Sequence, residues 1–281
     1  MSTSTPNAAI AAIEAANEQT LRAVADFRAA VERGAAGREQ FSELKQKHRF
    51  IGFVPCHAGG VDFALFAAHD DVVAWEYLWF GADAYEADLI ALWVDWCRSS
   101  PGVVYDVGGY TGIMSVLAAK SNTENQVHLF EPIDRTIERA KINSRANKVA
   151  GRVTLHNVAA SDAAAEAKIN LYRSDNILGT GNSLYDKGLE VRDIKTITCV
   201  RLDDELPDLS PTVVKVDVEG HELAAVRGMQ RTIVRARPRM LVEVWDHTRD
   251  ELLRLLDELD YDCRPLDSVD RRVVNYACLP R

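Results

Sequence analysis

Apolar residues follow two different periods along this chain, and each change of period marks a boundary. From 7 to 33 they recur at helical spacing, with Ile10, Ile13, Leu21, Val24, Phe27 and Val31 sharing one face of an alanine-rich segment. Gly34 and Gly37 break that pattern, and a second short helix over 38–48 follows. Between 50 and 79 the spacing reads as β-hairpins: 50–54, a Gly59-Gly60 turn, 61–66, and Asp70-Asp71 as another turn. Trp75, Tyr77, Trp79 and Phe80 continue the mostly alternating spacing and suggest a half-buried strand face. Asp83 and Glu86 have capping-box spacing ahead of a helix over 85–97.

From 103 onward, short apolar runs alternate with amphipathic ones, the signature of a parallel sheet covered by helices. Strands are predicted at 103–107, 126–131, 153–158, 213–218, 240–245, 261–264 and 273–279, and helices at 112–120, 136–147, 222–233 and 249–259. A short polar turn between the last two strands implies an antiparallel end to the sheet. The fold class is therefore α/β, a Rossmann-like sheet of seven mostly parallel strands with an antiparallel C-terminal pair, preceded by N-terminal helices and β-hairpins. An extension over 1–80 and a main domain over 81–281 are expected. An insertion over 167–201 carries strand-like 167–172 and 196–200 around the turn from Gly179 to Leu184.

The stretch VVYDVGGYTG over 103–112 places a buried strand, a glycine turn and a helix start in succession. Glycines permit close backbone approach to a ligand, and helix N-terminal amides attract an anionic group. A dinucleotide fingerprint would read G-x-G-x-x-G, but here its first glycine is Asp106. A carboxylate would repel a pyrophosphate yet accept a hydrogen bond from an α-ammonium. S-adenosylmethionine, an adenosine carrying an amino acid, fits that requirement. Glu131, ending the next strand, suits ribose hydroxyls, although nicotinamide enzymes use the same device. Asp106, Gly108, Gly109, Tyr110, Thr111, Gly112, Glu131 and Pro132 are the cofactor-binding candidates, joined by Ala159 beside the adenine position.

Two further strand ends carry acids. K-x-D-x-E-G-x-E over 215–222 supplies Asp217, Glu219, His221 and Glu222, and Glu243 lies within the apolar 240–245 run. Helix-dipole capping offers a structural account of Glu219 and Glu222, but the functional reading of Asp217 and Glu219 is favoured. Asp217, flanked by Val216 and Val218, is partly buried and needs a partner or ligand. Asp217, Glu219, Glu243 and His221 are the catalytic candidates, Asp217 also facing the cofactor. Convergent oxygens would suit a divalent metal, but no metal site is predicted.

Composition narrows the classes. A net charge of −9 disfavours a nucleic-acid binder, and Arg231, Arg235, Arg237 and Arg239 read as a solvated helix end. Five scattered cysteines, with no C-x-x-C pair, suggest neither a disulfide framework nor a zinc site. Neither a signal peptide nor a membrane span is legible, so a reduced, soluble, cytoplasmic protein is expected. The N-terminal helix packs on its own core or forms a homodimer contact.

The motif over 105–112, Phe130-Glu131-Pro132, the 215–222 pattern, Ala84-Tyr85-Glu86, the Gly179 turn and Glu243 together resemble the FkbM-type family of S-adenosylmethionine-dependent methyltransferases. The resemblance covers roughly 77–245 and implies a class I methyltransferase fold with O-methylation of small hydroxylated molecules, including sugars and polyketides. It also makes Glu86 a candidate cofactor or substrate contact. Gly109-Tyr110 departs from the family's usual Ala-Asn. An NAD(P)-dependent oxidoreductase and a non-catalytic S-adenosylmethionine-binding subunit are the rival readings.

Overall fold

A computed structural model describes residues 6–172, 178–179 and 181–281. The chain forms two compact units, Met1–Ala87 and Asp88–Arg281.

The first unit holds α1 (Pro6–Glu32), α2 (Phe41–Lys47), one hairpin of β1 (Ile51–Ala58) and β2 (Val61–Ala68), and α3 (Val72–Phe80). The apolar face read along α1 divides: Val24 and Phe27 are buried, whereas Ile10, Ile13, Leu21 and Val31 are 38–55% exposed. The aromatic run from Trp75 to Phe80 is a helix, not a strand. Asp71 acts as its N-cap, accepting from Val73 N at 2.9 Å and Ala74 N at 3.1 Å. Helical spacing then stacks Trp75 on Trp79 with ring centroids 6.2 Å apart. Burial on all sides had disguised the period. The next helix, α4 (Ala87–Ser99), begins four residues after Asp83, so Asp83 does not cap it; its Oδ1 accepts from Gly59 N instead.

In the second unit β3 (Val103–Val107), α5 (Ile113–Ser121), β4 (Gln126–Phe130), α6 (Asp134–Ala146) and β5 (Val153–His156) form the first half. The insertion follows as β6 (Ala159–Ala160), β7 (Ala165–Leu171) and β8 (Asp193–Val200), pairing as a separate three-stranded sheet in the order β6-β8-β7. Ala159 therefore opens a new sheet opposite Cys199 and does not extend the third strand. Thr180 of the predicted turn lies outside the described residues. The second half comprises α7 (Leu202–Glu205), β9 (Pro211–Val216), α8 (Glu222–Arg227), α9 (Gln230–Ala236), β10 (Arg239–Trp245), α10 (Arg249–Glu258), β11 (Tyr261–Pro265) and β12 (Val273–Pro280).

The main sheet has seven strands in the order β11-β12-β10-β9-β3-β4-β5. The five strands from β10 to β5 run parallel, and β12 and β11 close the sheet antiparallel, as the pattern predicts. Chain order turns away from β3 on both sides, so the carboxyl end of β3 is the switch point where such sheets take ligands.

The predicted helix over 222–233 is broken into α8 and α9 at Gly228, where a Cβ would collide with the Ser161 carbonyl. Asp203 of α7 caps the second piece, accepting from Arg231 N at 2.9 Å and Thr232 N at 2.8 Å. The arginine run is not simply solvated. Arg235 donates to the Pro207 carbonyl at 2.6 Å, and Arg237 to the carbonyls of Leu259 at 2.9 Å and Arg281 at 3.0 Å. A disulfide joins Cys263 to Cys278, correcting the all-thiol expectation. The two lie directly opposite in the β11–β12 register, a juxtaposition created by strand pairing and not by sequence spacing. No described helix is long and apolar enough to cross a membrane.

Candidate active site

The switch-point turn is assembled around a fully buried carboxylate. Asp106 Oδ2 accepts from Ser115 Oγ of α5 at 2.6 Å, while Oδ1 has no hydrogen-bond partner among the described residues. Burial pushes this carboxyl up, and the Lys215 ammonium and Ser115 pull it back. Thr111 Oγ1, also buried, lacks a partner as well. Buried polar atoms left without a partner are uncommon and single this turn out as a candidate ligand contact. The amides of Gly108 and Gly109 both donate to the Phe130 carbonyl, at 2.9 and 3.1 Å, locking the turn to the end of β4.

The glycines also make room for the protein itself. Gly108 adopts φ 82°, and a Cβ there would run into the Asp217 carbonyl at the end of β9. A Cβ on Gly109 would strike Leu129. Both positions are small because the protein's own neighbouring strands fill the space. Tyr110 is held at φ 48°, and its phenol donates to the Leu178 carbonyl at 3.0 Å, tying the turn to the insertion.

Glu131 follows β4. One oxygen accepts from Ile133 N at 2.9 Å, and the Tyr110 amide also bonds the carboxylate. Burial outweighs both donors and pushes Glu131 up to about 8. Pro132 beside it is half-buried, and Ala159 is buried in the insertion sheet. Hydrogen bonds thus tie Glu131 and the end of β4 to the 108–112 turn that follows Asp106. Glu86 belongs to the first unit, in the turn before α4 at φ 41°.

The acids of β9 and β10 form a second cluster. One carboxylate oxygen from each of Asp217, Glu219 and Glu243 lies within 4.8 Å of the others. Two buried ammonium groups hold this charge together. Lys215, in register with Asp106, reaches Asp217 Oδ2 at 2.5 Å, and Lys187 of the insertion reaches Glu219 Oε2 at 2.5 Å. Burial and the Asp217 charge push Glu219 up against the pull of Lys187, to about 7. Glu243 is pushed well above the usual carboxylate range by burial and then by Asp217 and Glu219, and accepts from Trp245 Nε1 at 3.1 Å. Glu222 accepts from Gly220 N at 2.8 Å and is pushed up by burial to about 7. His221 stands apart from the trio: its Nε2 lies 3.0 Å from Ser161 Oγ, and burial keeps its pKa below the ordinary value.

Sequence reasoning missed both lysines. Lys215 left a signal, a lone cation inside the apolar run PTVVKV. Lys187 left none, because only the fold of the insertion brings it to Glu219.

Residues 106–263 match the methyltransferase FkbM domain. No curated protein matches significantly. Similar solved structures include an FkbM methyltransferase from Methylobacillus flagellatus, with 20% identity over 63% of this chain and 43% of that one, at a TM-score of 0.45. A precorrin-6y C5,15-methyltransferase from Geobacter metallireducens has 12% identity over 70% of this chain and 90% of that one, at 0.43. An rRNA methylase from Streptococcus thermophilus has 10% identity over 68% and 95%, at 0.44. This chain thus spans less than half the length of the Methylobacillus protein it matches. Because the domain match takes in more than half of its residues, the chain belongs to the FkbM methyltransferase family.

Proposed function

We propose that this chain is an S-adenosylmethionine-dependent O-methyltransferase whose acceptor is a hydroxyl of a small molecule such as a sugar or polyketide-type alcohol. The observation that carries this reading is the adjacency of two carboxylate groupings at one end of the sheet: Asp106 and Glu131 around the β3 turn, and Asp217, Glu219 and Glu243 beside it.

The donor set fits the cofactor. Asp106 Oδ1 is a buried acceptor without a partner among the described residues, suited to an ammonium directly or through water, and Glu131 follows β4 where ribose hydroxyls would donate. When bound, the cofactor supplies an electrophilic methyl on a cationic sulfonium, which carboxylates favour and a cationic pocket would not. Asp217 and Glu219 orient the acceptor hydroxyl, and Glu219, at about 7, takes its proton near neutral pH. Alignment of the reacting groups is worth roughly 7 to 11 kcal/mol, while a base contributes about 10² to 10⁴-fold, so positioning dominates. The net charge of −9 supports a small molecule over a nucleic acid.

The test is calorimetric titration with S-adenosylmethionine, S-adenosylhomocysteine, NAD and NADP, repeated on Asp106→Ala and Glu131→Ala. It is followed by methyl transfer from labelled cofactor to a panel of neutral sugars and polyketide alcohols. Binding of the adenosyl ligands alone, weakened in both variants, and methylation of a panel alcohol are expected. Binding of a nicotinamide cofactor instead would overturn the reading.

A further inference from the structure

Lys187 lies in the insertion, outside every motif read from the sequence, yet it is 8% exposed and reaches the acid cluster. An ammonium persists in such a place only when paired. Besides Glu219 Oε2 at 2.5 Å, its Nζ donates to the Gly181 carbonyl at 3.0 Å and stands 4.3 Å above the Trp245 ring centroid. Trp245 in turn donates from Nε1 to Glu243, so one indole joins the lysine on its face to a second acid on its edge.

The backbone around Lys187 is fastened to the same place. Ser183 Oγ donates to the Glu219 carbonyl at 2.5 Å and accepts from Tyr185 N at 2.9 Å. Tyr185 stacks on His247, ring centroids 3.8 Å apart, and its carbonyl accepts from the Tyr172 phenol at 3.1 Å. That phenol also accepts from Lys187 N at 3.1 Å. Glu219 itself sits at φ 58°, a left-handed conformation costly for a non-glycine residue unless surrounding contacts impose it. The segment from Gly181 to Lys187 thus grips Glu219 by both its carbonyl and its carboxylate.

We propose that Lys187 is a positioning residue that fixes the Glu219 carboxylate beside Asp217 and Glu243, making the β7–β8 insertion the acceptor side of the site. The acceptor hydroxyl is then received at Glu219 beneath this strap, which rests on the methyltransferase reading above. Cofactor residues lie on the other side, around the β3 and β4 ends. Loss of the ammonium should therefore change how Glu219 holds its proton and meets acceptor, while leaving adenosyl-ligand affinity intact.

The experiment uses the full chain labelled with carboxyl-¹³C glutamate, the Glu219 resonance being assigned with Glu219→Gln. Wild type, Lys187→Met and Lys187→Arg are titrated, with Lys187→Gln as the neutral variant should the methionine variant not fold. Removing the cation should raise the Glu219 midpoint from about 7 by about one unit or more, and arginine should restore it. S-adenosylhomocysteine affinity should stay within about twofold of wild type throughout. With an alcohol methylated in the acceptor panel, the alkaline shift should appear in the pH–rate profile of Lys187→Met, together with a raised KM. An unmoved Glu219 midpoint overturns the proposal, as does loss of S-adenosylhomocysteine binding in the neutral variants. If the midpoint moves but wild type methylates no alcohol, Lys187 still positions Glu219 and the O-methylation reading is what fails.

Discussion

The carbonyl oxygen of Asp217 occupies the space that a side chain on Gly108 would need. The turn after β3 and the acid-bearing end of β9 are thereby packed backbone to backbone.

Gly108→Ala should be among the most damaging single-methyl changes in the chain. It combines the overlap at Asp217 with a φ of 82° that alanine resists. Strain and overpacking together should cost about 2 to 5 kcal/mol. Gly151→Ala, with open space around the added methyl, is the control. Urea unfolding of both variants checks this; equal midpoints would refute the packing argument.

Much of the main sheet was legible because each strand is a short apolar run bounded by polar turns. The β3 prediction coincides with Val103–Val107, and the antiparallel ending followed from the short turn before Val273. What escaped was information that resides in pairing or in burial on every side. Trp75 and Trp79 looked alternating because α3 buries nearly all its faces, leaving no polar stripe to mark the period. The break at Gly228 depends on a carbonyl 67 residues earlier in the chain, at Ser161. In the site, Asp217 called for a partner by its neighbours alone, and Lys215 two residues away meets that need. Lys187 meets Glu219 only through the fold of the insertion.

Thiol chemistry should count three cysteines, not five. Cys56, Cys97 and Cys199 are free and buried, whereas Cys263 and Cys278 are bonded. Denaturation without reductant, followed by alkylation and mass measurement, should add three labels, and five after reduction. Closing a loop of 15 residues should be worth about 3 kcal/mol in the chain-entropy view, so Cys278→Ala should lower the unfolding temperature. Five labels before reduction would contradict the pairing.

Lys215→Met should destabilise the chain more at pH 8 than at pH 6. The ammonium pairs with Asp217 and holds down Asp106, Glu219 and Glu243. Removing one partner of a buried pair costs about 3 to 5 kcal/mol, since the other charge stays behind. Lowering the pH lets the remaining acids take up protons and relieves part of that loss. Lys215→Met combined with Asp217→Asn should recover stability at pH 8. Denaturant midpoints at the two pH values test this, and a loss independent of pH would argue that the lysine acts through packing alone.

Stability of the ligand-free protein should fall as the pH rises from about 6.5 to 8. Glu131 is held at about 8 and Glu219 and Glu222 at about 7, against an ordinary value of 4.5. Across that interval the folded chain retains protons that the unfolded chain has released, so each added pH unit favours unfolding. The histidines act in the opposite sense, because burial holds His128 near 4 and also lowers His156 and His221. Their effect fades as the unfolded histidines lose their protons through the ordinary value of 6.5, so above it the carboxylates dominate the slope. Glu131→Gln removes a group held at about 8 and should flatten the decline between pH 7 and 8, where Glu219 and Glu222 are already half ionised or more. Calorimetric unfolding temperatures across this interval decide the matter: a wild-type value that rises with pH, or an identical slope in Glu131→Gln, would show that Glu131 does not carry a proton in the folded protein.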